Sequence, residues 1–285
     1  MAVSATVVKE LREKTGAGMM DCKKALEETN GDFQEAEDWL RKKGISSAAK
    51  KAGRATSDGT IAARLYNNNK RAVIAEINCE TDFVAKTADF AKLVDVVCTV
   101  LNELPALPAT AAELPKIVEE TRAIMVGKLG ENMMVQRFGR IDLNEPGKIQ
   151  LYIHPGSKLA VIAEINTGKA ETVGKAEFVE LAADIGMQIA AAAPSSVDRH
   201  GLAQATIDHE MEIAKEQARA TGKPEAVVEK IAQGKMDKIY SEFCLLEQPF
   251  VKDPKVTVTD HIATVAKTLG DTVTVKGFIR YKLGE

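Results

Sequence analysis

The sequence predicts an α+β protein: a small three-helix bundle, then a core built twice in the order β-β-α-α-β, with a helical hairpin projecting from its second half. Three observations carry this expectation. The segment up to Gly44 shows three short apolar stripes at helical spacing. The hexapeptide VIAEIN occurs at Val73–Asn78 and again 88 residues later at Val161–Asn166. Two long helical patterns then meet at Gly222-Lys223-Pro224 inside the second half.

The first helix carries Val7, Val8 and Leu11 inward, with Ser4 as its N-cap, and Thr15-Gly16-Ala17-Gly18 stops it. A second helix runs from Met20 to Thr29 with Cys22, Ala25 and Leu26 inward. Asn30-Gly31-Asp32 turns the chain, and Asp32 caps a third helix carrying Phe33, Ala36, Trp39 and Leu40. Gly44 reads as that helix's C-terminal stop. The stretch Ala48–Gly59, small, polar and basic around Lys50, Lys51 and Arg54, reads as a linker.

The repeat holds without a gap well beyond the hexapeptide: Ile61 matches Ile149, Lys70 matches Lys158, Phe90 matches Phe178 and Leu93 matches Leu181. In each copy a short strand precedes VIAEIN, joined to it through Asn67-Asn68-Asn69 or Pro155-Gly156-Ser157, residues that favour turns. An amphipathic helix comes next, with Phe90, Leu93, Val94, Val97 and Leu101 inward in one copy and Phe178, Leu181, Ala182, Ile185 and Ile189 in the other. The first unit closes with a helix over Lys116–Leu129 and a strand over Met133–Leu143. The second closes with a helix over Thr259–Leu269 and a strand over Thr272–Leu283, so duplication has set two α+β halves side by side. The hairpin is expected to bury Ile207, Met211, Ala214 and Ala218 against Val227, Val228, Ile231 and Ile239, with Pro224 opening its second helix. The chain therefore divides into residues 1–55, the helical domain with its basic linker; 56–143, the first core half; and 144–285, the second half, with the hairpin at about 198–243.

At 285 residues, 45% hydrophobic, the chain can bury an ordinary core without disulfides or metals. Cys22, Cys79, Cys98 and Cys244 lack CxxC spacing and read as free thiols in a reducing cytoplasm. No membrane-spanning stretch and no secretory signal is expected. His154, His200, His209 and His261 lie far apart, outside metal-binding or catalytic spacing, and no nucleophile elbow is present. Gly127-Lys128 and Gly222-Lys223 resemble pieces of a P-loop. Leu129 and Pro224 stand where Ser or Thr is required, so direct nucleotide binding is not expected, nor is an enzyme or a cofactor. Glu80 and Asp82 read as solvated loop carboxylates, not metal ligands. The net charge of −3 opposes a broad nucleic-acid face, and the Lys50-Lys51 run is too short and too poor in aromatics to supply one.

The informative segment comes after the first VIAEIN. There the chain reads Cys79-Glu80-Thr81-Asp82-Phe83-Val84, whereas Lys169-Ala170-Glu171-Thr172 occupies the positions equivalent to 81–84. An aromatic in a strand-to-helix loop can fold back into the core. The second copy manages without one, so the shared scaffold does not require Phe83. It reads as an addition to a loop on a rigid scaffold, where binding residues sit, and as a wedge for a pocket on another protein.

Leu11–Leu26, reading LREKTGAGMMDCKKAL, resembles the N-terminal signature of the translation elongation factor Ts family, and Glu76–Val84, EINCETDFV, resembles its second signature. Lys128–Asn132, Gln248–Val251 and Gly277–Arg280 extend the resemblance over essentially the whole chain. It implies a ubiquitin-associated-like (UBA-like) helical domain, a two-part α+β core and a coiled-coil hairpin. It also implies guanine nucleotide exchange on elongation factor Tu during protein synthesis, without covalent chemistry. Asp82 and Phe83, within Thr81–Val84, match the loop that enters the partner's G domain beside its magnesium site. Arg12 and Lys23 match G-domain contacts of the N-terminal module, and Leu129 and Gly130 match a segment near the nucleotide. His154 matches a contact to the partner's third domain, which the second core half meets. Phe250 and Val251 match a further contact.

Three departures stand out. Lys252 comes after Val251 where relatives can carry an apolar residue, Pro155-Gly156-Ser157 comes after His154, and the sequence ends at Gly284-Glu285 where some relatives append a C-terminal helical module. Two rival classes are weaker. A passive interaction scaffold has no use for an added Phe beside an Asp, and an RNA-binding protein would carry a basic face.

Overall fold

The structure is a computed structural model that describes residues 3–222 and 224–285. Lys223, in the expected hairpin turn and in one P-loop-like fragment, lies outside the described residues, as do Met1 and Ala2. Along the chain run α1 (Ala5–Thr15), α2 (Met19–Glu28), α3 (Phe33–Lys51), β1 (Asp58–Tyr66), β2 (Arg71–Cys79), α4 (Asp82–Ala85), α5 (Ala88–Glu103), α6 (Lys116–Leu129) and β3 (Met133–Asp142). Next come β4 (Gly147–Ile153), β5 (Leu159–Thr167), α7 (Ala176–Ala192), α8 (Gln204–Arg219), α9 (Glu225–Phe243), β6 (Pro249–Phe250), β7 (Asp253–Thr257), α10 (Val258–Leu269) and β8 (Val273–Lys282). No helix among the described residues is long and apolar enough to cross a membrane.

The N-terminal helices form where their caps lie. Ser4 Oγ accepts from Thr6 N at 3.2 Å, Gly16 ends α1 in the left-handed region, and Asp32 Oδ1 accepts from Glu35 N at 2.8 Å. Their apolar faces meet in one cluster of Val8, Leu11, Cys22, Ala25, Leu26 and Ala36.

Gly44 does not stop the third helix, which continues to Lys51. It is buried instead, and a Cβ there would lie 3.2 Å from Ala123 O on α6. A Cβ on Gly127, on the same face of α6, would lie 3.4 Å from the Gly44 Cα. The two glycines let the helix backbones approach closely, and Gly127 belongs to this crossing. The expected linker is correspondingly shorter. Ala48 is buried in the first-half core, Lys51 Nζ donates to Val126 O at 3.3 Å, and β1 already begins at Asp58. Gly44→Leu is therefore expected to destabilise the chain by about 1–3 kcal/mol through overpacking, read as a lower urea midpoint. An unchanged midpoint would show the crossing to be loose.

Each half is a three-stranded antiparallel sheet with VIAEIN as its central strand, in the orders β1-β2-β3 and β4-β5-β8. The duplication extends to an irregularity of register at the same place, between Glu76 and Ile77 in one half and between Glu164 and Ile165 in the other. Alternate residues point to opposite faces of a strand. Val73, Ala75 and Ile77 join the helices of the first half, and Val161, Ala163 and Ile165 those of the second. The other faces meet one another: Ile61, Ala63, Ala72 and Ile74 pack against Ile149, Ala160 and Ile162. The two sheets thus lie face to face. This explains why VIAEIN is nearly continuously apolar in an antiparallel sheet, where one wetted face would impose alternation.

The α8–α9 pair buries Ala214 and Ala218 against Val228, Ala232, Met236 and Ile239. Val227, expected in this seam, is exposed, because a neighbouring helical position points about 100° away. Pro224 serves as N-cap rather than as the first helical residue of α9.

Candidate functional site

The site grows from the end of β2. Cys79, its last residue, is buried and donates through Sγ to Thr81 O at 3.1 Å. Burial first, and the Glu131 charge second, push its thiol up to about 11, which leaves it an unreactive packing group. Thr81 then caps the one-turn helix α4, its hydroxyl oxygen accepting the Val84 N–H at 3.4 Å. Val84 is buried, and Phe83, one position back on that turn, is 79% exposed. Asp82 is paired with Lys86 at 2.6 Å, which raises the lysine pKa through the hydrogen bond.

The turn is tied down from the α6–β3 connection. Glu131 takes both donors of Thr81, the N–H at 3.0 Å on Oε2 and the hydroxyl at 2.6 Å on Oε1. In the opposite direction Glu80 Oε1 accepts the Asn132 N–H at 2.6 Å. Asn132 Nδ2 in turn donates to Arg54 O at 2.9 Å and Ala52 O at 3.3 Å. Glu80 is therefore a structural acceptor rather than the solvated carboxylate expected. Among the described residues no group of three or more His, Cys, Asp or Glu is placed to hold a metal ion.

The second half repeats this corner without the aromatic. Asp271 comes after Gly270 at the end of α10, as Glu131 comes after Gly130 at the end of α6. Its Oδ2 accepts Lys169 N at 3.0 Å and Thr172 Oγ1 at 2.6 Å, and the Thr172 hydrogen bond holds its carboxyl below the usual range. Glu171 stands exposed where Phe83 stands in the first half. The sequence alone assigns no role to Glu131 or Asn132. The signal that points to Glu131 is the Gly-acid pair ending the second helix of both halves.

Of the other sequence candidates, Gly130 lies in the left-handed region at the exposed end of α6, next to Glu131, so it shares a corner with Thr81. Leu129 is half-buried against the first-half core. Arg12 and Lys23 are exposed on α1 and α2, the latter 3.7 Å from Glu27. Arg12 lines a cleft of about 650 Å³ between α1, α5 and α6, together with Lys92, Asp89 and Lys128; Lys128 is paired to Asp89 at 2.8 Å. His154 is exposed in the turn between β4 and β5, its Nδ1 3.0 Å from the Tyr152 hydroxyl. Beyond it, Gly156 and Ser157 both take positive φ.

Phe250 is not a surface residue. It is buried, stacked on His261 with ring centroids 4.1 Å apart and planes 12° from parallel. Its neighbour Val251 is 39% exposed, with its N–H held by Gln188 Oε1 at 2.8 Å. Lys252 pairs with the buried Asp184 at 2.6 Å, so its charge is engaged within the chain. The structure thus gathers residues 81–84 and 129–130 at one corner and sets His154 and Val251 in the other half.

A family model described as Elongation factor TS matches residues 80–285, and one described as Elongation factor Ts, mitochondrial, N-terminal, matches residues 1–53. The Elongation factor Ts of Desulfovibrio desulfuricans is 44% identical over 283 residues, 99% of this chain and 98% of that protein. The Elongation factor Ts of Prosthecochloris aestuarii is 45% identical over 290 aligned residues, 99% of each chain. That of Nitratidesulfovibrio vulgaris is 43% identical over 285 residues, 100% of this chain and 97% of its own. With similarity running from one end to the other, the chain belongs to the elongation factor Ts family.

Proposed function

We propose that this chain binds elongation factor Tu carrying GDP and promotes release of the nucleotide, so that GTP can replace it during cytoplasmic protein synthesis. The observation that carries the reading is Phe83: a large aromatic held 79% exposed on a turn whose cap and backbone are clamped by Glu131. An exposed aromatic on a mobile loop would lose ordering entropy on entering a partner. One held in advance loses little.

Exchange needs negative coupling. The factor must bind a partner conformation in which phosphate and magnesium contacts are lost, and nucleotide must weaken the factor by the same ratio. A surface that only gripped would shift nothing. In this reading Phe83 wedges between elements beside the magnesium site. Asp82 exchanges its Lys86 partner for groups that order that site, while Thr81 and Val84 hold the turn. Arg12 and Lys23 on the UBA-like bundle, Leu129 and Gly130, and His154 and Val251 in the second half supply grip. Phe250 contributes by supporting Val251 from beneath. The α8–α9 hairpin is read as a coiled coil in the second half.

The test is stopped-flow release of a fluorescent GDP analogue from elongation factor Tu, with and without the chain. Release is expected to accelerate and to saturate with chain concentration. Release unaffected at any concentration ends the proposal.

A further inference from the structure

We infer that Glu131 is a positioning residue for exchange: it fixes the hydroxyl of Thr81 so that the turn carrying Phe83 is capped in one conformation. The inference rests on the exchange reading above and adds to it a residue that acts through Thr81.

A threonine hydroxyl has one proton and two lone pairs. Glu131 Oε1 takes the proton at 2.6 Å, which turns a lone pair toward the Val84 N–H at 3.4 Å. The same carboxylate takes the Thr81 N–H on its other oxygen at 3.0 Å. Both contacts donate into the carboxylate, so an amide cannot replace it: a glutamine offers one acceptor and sets an N–H against the second donor. The clamp is also fixed from its own side, because the next residue, Asn132, is held by Glu80 and by the carbonyls of Ala52 and Arg54.

The second half shows which part of this is scaffold. Asp271 accepts the N–H of Lys169, the position equivalent to Thr81, so an acid after the helix-ending glycine is common to both halves. The hydroxyl differs. In the second half it comes from Thr172, the position of Val84, and lies inside the turn; in the first it comes from Thr81, the cap itself. The first half has thus turned a structural acid toward the residue that orients Phe83.

The experiment measures GDP release from elongation factor Tu against concentration for the full chain and for Phe83→Ala, Glu131→Gln, Glu131→Asp, Thr81→Val and Asp271→Asn. Glu131→Gln is expected to lower the saturating rate about tenfold, with the half-saturating concentration within about twofold of wild type. Glu131→Asp restores most of the rate, since an aspartate holds the equivalent N–H in the second half. Asp271→Asn keeps the wild-type saturating rate. If Glu131→Gln does not fold, Thr81→Val, which keeps the carboxylate and the backbone donor, must itself lower the saturating rate. A wild-type saturating rate for Glu131→Gln, or for Thr81→Val in its place, beside a slow Phe83→Ala overturns the inference and leaves the exchange reading standing. Equal losses in Glu131→Gln and Asp271→Asn overturn it too, as a merely structural effect. A wild-type rate for Phe83→Ala removes the exchange role of the wedge, and that of Glu131 with it.

Discussion

Phe83→Ala is expected to lower the saturating rate of GDP release from elongation factor Tu by about 30-fold, the equivalent of losing about 2 kcal/mol of an aromatic anchor in the exchange transition state. The half-saturating concentration should move little if, as proposed, the grip is spread over Arg12, Lys23 and the second half while the wedge acts where nucleotide contacts break. The substitution should leave folding stability within about 0.5 kcal/mol of wild type. Phe83 is 79% exposed and packs in none of the buried clusters. Val84 anchors the turn, and Thr81 and Glu131 fix it without help from the ring. Glu171→Ala, at the equivalent place in the second half, is the matched control and should change neither rate nor stability. An unchanged saturating rate would sink the wedge. A loss confined to the half-saturating concentration would make Phe83 one more gripping residue, uniform in ground and transition states.

Phe83 can be placed from sequence because the chain contains its own comparison: a duplicated strand with an aromatic after one copy only. The strands and helices of the core are legible for a similar reason, since each period appears twice and the two copies agree. Sequence misleads where one residue type serves two physical ends. A glycine late in a helical pattern signals a C-cap, and it equally signals a close helix crossing; only the backbone of Ala123 opposite Gly44 decides between them. Phe250 and Val251 are adjacent, and nothing in their identities says that the ring turns inward onto His261 while the valine turns out. Val227 and Val228 pose the same problem on a helix. Glu131 escapes the sequence for another reason: its partner lies 50 residues away, and hydrogen bonds between loops leave no periodicity. The face-to-face sheets are half visible, in that VIAEIN is too apolar for a strand with one wet face.

The seam between those sheets gives the largest stability effect. Arg137→Ala is expected to destabilise the chain by about 3 kcal/mol, near the lower end of the cost of stripping one partner from a buried ion pair. Glu76, the acid of the first VIAEIN, is 1% exposed, and its Oε2 accepts from Arg137 Nε at 2.7 Å. The same guanidinium donates to Lys282 O at 2.8 Å and lies 4.4 Å over the Tyr281 ring, so it joins β3 of the first half to β8 of the second. Without it the carboxylate keeps the Asn78 side-chain amide at 3.3 Å and the Gly284 N–H at 3.5 Å, neutral donors that do not replace a charge. The loss falls at the lower end because the Arg137 side chain is 32% exposed, and water can partly take its place. Adding Glu76→Gln should recover about half the loss, since a neutral amide no longer needs the counter-charge. Glu164, the acid of the second VIAEIN, is only partly buried, accepts from the Asn166 side chain and forms no ion pair among the described residues, so Glu164→Gln should be nearly silent. Urea midpoints of the three variants decide the matter. If Arg137→Ala unfolds within about 1 kcal/mol of wild type, or the double variant is no better than the single one, Glu76 does not depend on that arginine. In that case the halves are held by the apolar contacts around Ile61, Ile74, Ile149 and Ile162 together with the other hydrogen bonds between them, such as Ile61 N to Ser157 O at 2.7 Å and Lys158 Nζ to Gly59 O at 2.8 Å.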